Sequence, residues 1–264
     1  MFKMFGALLA LMVLACAWAE GGADEGVGSL LPPPPPPVSP PVAAPGASEE
    51  VMNLMKGITW LGHDGFRIEA GGKVIYVDPF KIAGGPEADL ILITHDHFDH
   101  NSPDDVAKVA GAGTVLVGPA DVAASYEGSP DFKGEVRTLS PGGKIEIDGV
   151  AVEGVTAYNT NKKFHPKANR WLGYVIGIGG RRIYHAGDTD LIPEMSNLKD
   201  IDVALLPVSG TYVMTASEAC EAARVIAPKV AVPMHWGEIV GGAADAEEFR
   251  RRAPCEVVVL EKGK

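Results

Sequence analysis

Leu90-Ile91-Leu92-Ile93-Thr94-His95-Asp96-His97-Phe98-Asp99-His100 runs from a short apolar stretch of strand formers into three imidazoles and two carboxylates. Ser102-Pro103-Asp104-Asp105-Val106 follows and reads as a helix start, with Ser at the cap, Pro at the first helical position and acids in the first turn. Nitrogen and oxygen donors are therefore crowded onto a strand-to-helix turn. Imidazole with carboxylate suits zinc, manganese, iron or nickel. The bland alternative, a His-rich surface loop, would lack this flanking strand and cap. The stretch reads as a metal site.

Upstream, 264 residues with three cysteines allow one sizeable core and no dense disulfide framework. The net charge of -11 argues against nucleic-acid binding, which usually leaves a basic footprint. Lys3 followed by the apolar run Met4 to Cys16 reads as an export signal, too short for a comfortable membrane span. Val13-Leu14-Ala15-Cys16 resembles a bacterial lipobox in which Cys16 would carry a lipid anchor, and Ala17-Trp18-Ala19 offers an ordinary cleavage site. The expectation is an exported protein, periplasmic or held at the membrane as a lipoprotein. Residues 20–51 hold Gly-rich and acidic stretches and the run Pro32 to Pro37, a stiff spacer of about 19 Å. The folded domain is expected over residues 52–264.

Within that domain Ile58 to Gly62 reads as a strand ending at His63, Phe66 to Glu69 and Lys73 to Val77 as a hairpin ending at Asp78-Pro79. A helix is expected over Pro103 to Ala110, stopped by Gly111, with a buried strand over Thr114 to Val117. Further strands are expected over Glu135 to Leu139, Lys144 to Ile147, Val150 to Thr156, Tyr174 to Ile178, Arg182 to His185, Val203 to Leu206, Val230 to Val232 and Val257 to Leu260. Helices are expected over Ala120 to Tyr126, after the capping box Thr215-Ala216-Ser217-Glu218, and over Asp245 to Arg252. Between Ala157 and Trp171 the pattern fails, and irregular loops of that length inside a domain are often functional. This one carries Asn159, Lys162, Lys163, His165, Lys167 and Arg170. His63, His95, His97, His100 and His235 follow predicted strands, as do Asp78 and Asp188. Strand ends gathered on one edge would bring them together.

His95-x-His97-x-Asp99-His100, Gly187-Asp188-Thr189 and Pro233-Met234-His235 together resemble the metallo-β-lactamase superfamily. Trp60-Leu61-Gly62-His63, Tyr184-His185-Ala186-Gly187-Asp188-Thr189 and Leu206-Pro207-Val208-Ser209-Gly210-Thr211 resemble its branch of ascorbate-6-phosphate lactonase-like metal-dependent hydrolases. The resemblance implies an α+β fold, an αββα sandwich of two mixed sheets packed face to face with helices on the outer faces. It implies two divalent metal ions, zinc foremost, that bridge a hydroxide acting on a small-molecule substrate. His95 and His97 would hold the first metal; Asp99, His100 and His235 the second; Asp188 would bridge them. Relatives often place the remaining His where this chain has Tyr158-Asn159, so His165 is the substitute.

Asp99, Asp188 and His185 stand as the candidate catalytic groups. His63, Asp78, Asn159, Lys162, Lys163 and Thr211 are expected around the metals or against substrate, with Asp78 orienting a ligand imidazole. An oxygen-reducing di-iron relative would use Glu where His97 stands. No Ser nucleophile sits in a G-x-S-x-G setting. The cationic loop points to an anionic ester, lactone or phosphodiester. The competing readings are a non-catalytic metal-binding or interaction protein with the same fold, and a β-lactamase.

Overall fold

The computed structural model describes residues 48–263. The expected signal, Cys16 and most of the Pro-rich spacer lie outside them. The folded part begins at α1 (Glu49–Lys56), capped by the Ser48 hydroxyl, so Glu49 to Val51 belong to the domain and not to the spacer. The amphipathic pattern of this helix, burying Val51 and Met55, was hidden behind the acids that open it.

The first sheet is built in simple sequence order from β1 (Ile58–Gly62), β2 (Gly65–Ala70), β3 (Lys73–Val77), β4 (Ala88–Leu92), β5 (Ala110–Gly118) and β6 (Glu135–Thr138). Between these strands lie α2 (Pro103–Ala107) and α3 (Ala120–Tyr126). The second sheet contains β7 (Lys144–Ile147), β8 (Val150–Thr156), β9 (Leu172–Ile178), β10 (Arg181–His185), β11 (Val203–Pro207), β12 (Val230–Met234) and β13 (Glu256–Val257), in the order β13-β12-β11-β10-β9-β8-β7. It is crossed over by α4 (Ala216–Ile226) and α5 (Ala243–Arg252). Both sheets are mixed: β1, β2 and β3 are antiparallel and β3 to β6 parallel, while β7 to β10 are antiparallel and β10 to β13 parallel.

Alternation decides which face of each strand is covered. Ile75 and Val77 of β3 pack with Leu90 and Leu92 of β4 against Tyr174 and Ile176 of β9, forming the core between the sheets. Tyr76 and Ile91 point the other way, onto Val106 of α2 and Val122 of α3. On the far side α4 buries Ala219, Ala222 and Ala223, small residues that let it lie close to β11, and its Thr215–Glu218 capping box is formed. The layers are therefore helix, sheet, sheet, helix.

The expected helix through Ala110 ends earlier, because β5 starts at Ala110 and carries Gly111 in the strand, where the Thr114 hydroxyl accepts from Gly111 N–H. The last strand is shorter than the apolar run suggests, pairing only through Glu256 and Val257. Cys220 and Cys255 are both free. No helix among the described residues is long and apolar enough to cross a membrane.

Strand direction positions everything that follows. β1, β3 and β4 run alike in one sheet and β10, β11 and β12 alike in the other, as the pairing directions require, and the ends of β1 and β12 meet at one edge of the sandwich, where His235 N–H donates to His63 O. Two bonds tie the sheets together there: Tyr174 Oη donates to Ile93 O at 2.6 Å, and Leu172 N to Thr94 O at 3.0 Å.

Candidate metal centre

At that edge several of the site's residues follow closely on a strand. His63 leaves β1, Asp78 leaves β3, Thr94 and His95 leave β4, Asp188 follows β10, and His235 leaves β12. His63, Asp78 and His235 adopt φ of 49°, 44° and 60°, left-handed values that cost non-glycine residues of order 1–3 kcal/mol each. The turns are held by their surroundings: His63 O accepts from His235 N at 3.0 Å and from Trp60 Nε1 at 2.9 Å. Trp60 in turn stacks on Trp236, with ring centroids 4.6 Å apart.

Two clusters of donors result. In the first, His95 Nε2 lies 3.0 Å from His97 Nδ1, and His165 Nε2 lies 3.2 Å from the same atom. In the second, His63, His100 and His235 each bring a ring nitrogen within 4.8 Å of the others. Asp188 lies between them. One of its oxygens is 3.2 Å from both His165 Nε2 and His235 Nε2, and the other is 3.4 Å from His100 Nε2.

Four of the six imidazoles are oriented from behind. Asp78 receives His100 Nδ1 at 2.8 Å, and also accepts from Thr94 N–H at 2.8 Å and the Thr94 hydroxyl at 2.5 Å. That hydroxyl is 2.9 Å from His95 Nδ1, so one carboxylate aligns ligands of both clusters. Ser209 Oγ lies 3.0 Å from His235 Nδ1. Asn159 Oδ1 meets His165 at both its N–H, 3.1 Å, and its Nδ1, 3.0 Å.

The loop expected to be irregular is so, apart from a 3₁₀ turn over Lys167–Asn169. It reaches the site because Asp190, which is buried, accepts from Thr160 N–H, Asn159 Nδ2 and Lys162 Nζ. Trp171 closes it, its ring 4.9 Å and 4.8 Å from those of His95 and His97 and its Nε1 donating to Asp121.

Burial and charge set the protonation states. Burial pushes His95 well below the usual imidazole range, and lowers His97 and His63, leaving the neutral form that binds metals. Burial opposes ionisation of Asp188, yet the rings of His235, His100 and His165 hold its carboxyl well below the ordinary value. His100 goes the other way: burial works against its charge, but Asp188 and Asp78 raise it well above. Fully buried Asp64 is pushed well up, by burial first and by Asp188 next.

These side chains fit a cation. His100 Nε2, His235 Nε2, Asp188 Oδ1 and both carboxylate oxygens of Asp64 are buried without a hydrogen-bond partner, which native interiors avoid unless something charged or polar completes them.

Several expected residues stand elsewhere than the sequence suggests. His185 is fully buried, with Nε2 at 2.9 Å from Asp64 O and Nδ1 accepting from Gly187 N–H; both nitrogens serve the backbone, so it positions turns and does not face substrate. Asp99 contacts His63 Nε2 at 3.2 Å, leaving His63 beside His100 and His235 where the sequence reading put Asp99. Thr211 is exposed, and only its carbonyl is engaged, by Ser209 Oγ. The basic loop does not present a cationic patch: Lys162 pairs with Asp190, Lys167 with Glu194, and Arg170 lines a separate cavity with Asp121 and Ser140. Lys163 is exposed.

Sequence reasoning passed over Asp64, Thr94, Asp190 and Ser209. Asp64 and Thr94 were legible in principle, since each adjoins a histidine at a strand end. Asp190 and Ser209 carried no such signal.

A double-sheet sandwich with paired imidazole clusters joined by one aspartate at the strand ends is the architecture of metal-dependent hydrolases. The comparisons agree, for the β-lactamase superfamily domain matches residues 57–235 and the chain belongs to that family. A UPF0173 metal-dependent hydrolase of Methanopyrus kandleri is 34% identical over 227 residues, 78% of this chain and 97% of its own. One from Pyrococcus abyssi is 35% identical over 78% of this chain and 96% of its own. Among solved structures, a protein of Parabacteroides distasonis assigned to the metal-dependent hydrolases superposes with a TM-score of 0.67 at 34% identity, covering 77% of this chain and 93% of that one. Igni18, a metallo hydrolase of Ignicoccus hospitalis, gives 0.64 at 25% identity, covering 78% and 95%. This protein is a metal-dependent hydrolase of the metallo-β-lactamase superfamily, and the non-catalytic alternative gives way.

Proposed function

We propose that the protein is a dinuclear hydrolase acting outside the cytoplasm on an ester, lactone or phosphodiester. The observation that carries the dinuclear reading is Asp188, whose two oxygens face both imidazole clusters. His95, His97 and His165 would hold one ion. His100 and His235 would hold the other, with Asp99 approaching from the cavity side, where it shares the lining with Asp188. A pair of divalent ions held there, zinc foremost, would lower the pKa of a water to ~7 and would stabilise charge on the attacked oxygen.

The chain's own residues do the rest. Asn159 accepts at His165 Nδ1, which leaves the facing Nε2 with the lone pair, and Asp78 aligns the His100 ring through its Nδ1. Asp188 and Asp99 line a cavity of about 370 Å³ above the clusters, where substrate enters, and Asp99, the more exposed of the two, is placed to hold a proton taken from the water. The anionic-substrate reading now has only Lys163 behind it, because Lys162 and Lys167 are spent on carboxylates.

Metal analysis of the purified protein with a panel of esters, lactones, phosphodiesters and one chromogenic β-lactam tests the reading. Two ions per chain and hydrolysis of an ester, lactone or phosphodiester are expected; turnover of the β-lactam alone would make it a β-lactamase. Export rests on the apolar run ending at Cys16. Cys16→Ser should move the protein from membrane to soluble fractions if a lipid is attached there, and unchanged fractionation would favour cleavage after Ala19.

A further inference from the structure

We propose that the mouth of the metal centre is an apolar collar that receives an acyl or aryl group of the substrate, so that the preferred substrate is an ester or lactone with an apolar arm. The inference rests on the hydrolytic reading above and adds the substrate class. In such a hydrolysis the acyl C–O bond breaks, water supplies hydroxyl to the acyl carbon, and its other proton goes to the departing alkoxide.

Among the described residues five large apolar side chains are exposed, and four of them line this one cavity: Phe98, Phe164, Tyr212 and Ile239. Phe98 is 71% exposed and Phe164 51%. Scattered single apolar residues need no explanation, but a ring of them around a concave site does. The four come from separate segments. Phe98 stands between His97 and Asp99, Phe164 precedes His165, Ile239 follows His235 by one turn of loop, and Tyr212 lies beyond β11. Each is thus tied to a residue of the site, and the collar is built around the opening of the cavity.

The rings are propped in place. Phe164 and Tyr212 meet edge to face at 4.4 Å, and Phe98 meets Phe80 in the same way at 5.9 Å. Tyr212 is held at φ 68°, a strained value for an aromatic residue, and its carbonyl accepts from the same Asn159 amide that orients His165. The backbone that carries the collar and the ligand behind it therefore share a support. A cavity of about 370 Å³ lies within the range of small-molecule sites, which are mostly apolar with a few placed polar groups. The concavity argues for a small group entering past the rings, and against a flat partner lying across them. Of the loop cations, Lys162 and Lys167 are paired with carboxylates and Arg170 lines a separate cavity, which leaves only Lys163 to favour a highly charged substrate.

The test pairs kinetics with binding. Zinc-loaded full chain is assayed on p-nitrophenyl esters from acetate to octanoate, and calorimetry follows binding of butanoate, hexanoate and octanoate. In wild type each methylene entering the collar should raise kcat/KM and affinity by about two- to fourfold. Phe98→Ser with Phe164→Ser should bring that increment close to onefold, and Ile239→Ser, on a different segment, should also reduce it. All three side chains are exposed, so thermal unfolding midpoints should stay near wild type.

Hydrolysis with no chain-length dependence in wild type would overturn the collar and leave the hydrolase reading standing. A dependence unchanged in all the variants would also overturn it. Chain-length-dependent binding that the variants lose, with no ester cleaved, would overturn the hydrolytic reading while supporting the collar as an apolar subsite. Loss of phosphatidylcholine-vesicle binding in the variants, without any effect on the small ligands, would assign these rings to a membrane surface and overturn the proposal.

Discussion

The two imidazole clusters are chemically alike but are built differently. The second is built mainly from strand ends: His63 and His235 leave β1 and β12 directly, in strained turns clamped to one another through His63 O, and His100 stands in the turn between β4 and α2, all three almost wholly buried. The first takes two of its rings from the same region, but its third, His165, comes from a loop held by one amide and one carboxylate, Asn159 and Asp190. A ligand on a sheet edge inherits the rigidity of the sheet. A ligand on a loop depends on whatever hydrogen bonds fold that loop back. The loop half should be the adjustable half of the centre, and it is also the half that borders the apolar collar.

Asp188 is the point where this contrast disappears, because it touches both clusters. Asp188→Ala should lower kcat/KM by about a thousandfold or more, the scale on which a preorganised electrostatic group is felt, and should cost bound metal at both positions. Kinetics and metal content within a few-fold of wild type would break the idea of a joined centre.

Asn159→Ala separates the halves. Losing an outer hydrogen-bond partner typically costs 10–100-fold in metal affinity, and here that loss should fall on one ion of two. Asp78→Asn should instead weaken both, because its carboxylate reaches His100 directly and His95 through Thr94. Equal effects of Asn159→Ala on both ions, read by stepwise chelation, would erase the distinction between loop and strand ends. Asp99→Asn should lower occupancy of the strand-end ion more than His63→Gln does, and the reverse order would make His63 the ligand.

A smaller effect lies at the base of the turn after the motif. Burial tends to raise the Asp105 carboxyl, but hydrogen bonds from Lys108, Ser102 and Lys81 N–H hold it below its ordinary value. A depressed folded-state value contributes stability that is present above the unfolded-state pKa and lost as pH falls through the folded one. Asp105→Asn should cost about 1–3 kcal/mol at neutral pH and flatten the loss of stability on acidification below pH ~4. An unchanged acid limb in thermal unfolding would remove Asp105 from that account.

Much of this was readable from residues alone where local chemistry and tertiary position coincide. The strands before His63, Asp78, His95 and His235 announce themselves as short apolar runs of strand formers closed by stop signals, so the gathering of ligands at strand ends followed from topology. The Thr215 capping box was equally local. Other features depended on partners distant in sequence. The charge of the basic loop was visible, but Asp190 and Glu194, which neutralise Lys162 and Lys167, lie some thirty residues on and face them only after folding. His185 has the look of a reactive histidine until the turn at Asp64 is folded against it. The apolar collar could not be read either, since Phe98, Phe164, Tyr212 and Ile239 form no pattern in sequence.

The central claim is that His95, His97 and His165 on one side and His100 and His235 on the other form a single dinuclear centre through Asp188. Anomalous diffraction from crystals grown with zinc tests it most directly. The account predicts two peaks about 3.5–4 Å apart, one against each cluster, with an Asp188 oxygen between them. A single peak, or two peaks of which neither touches Asp188, would contradict it.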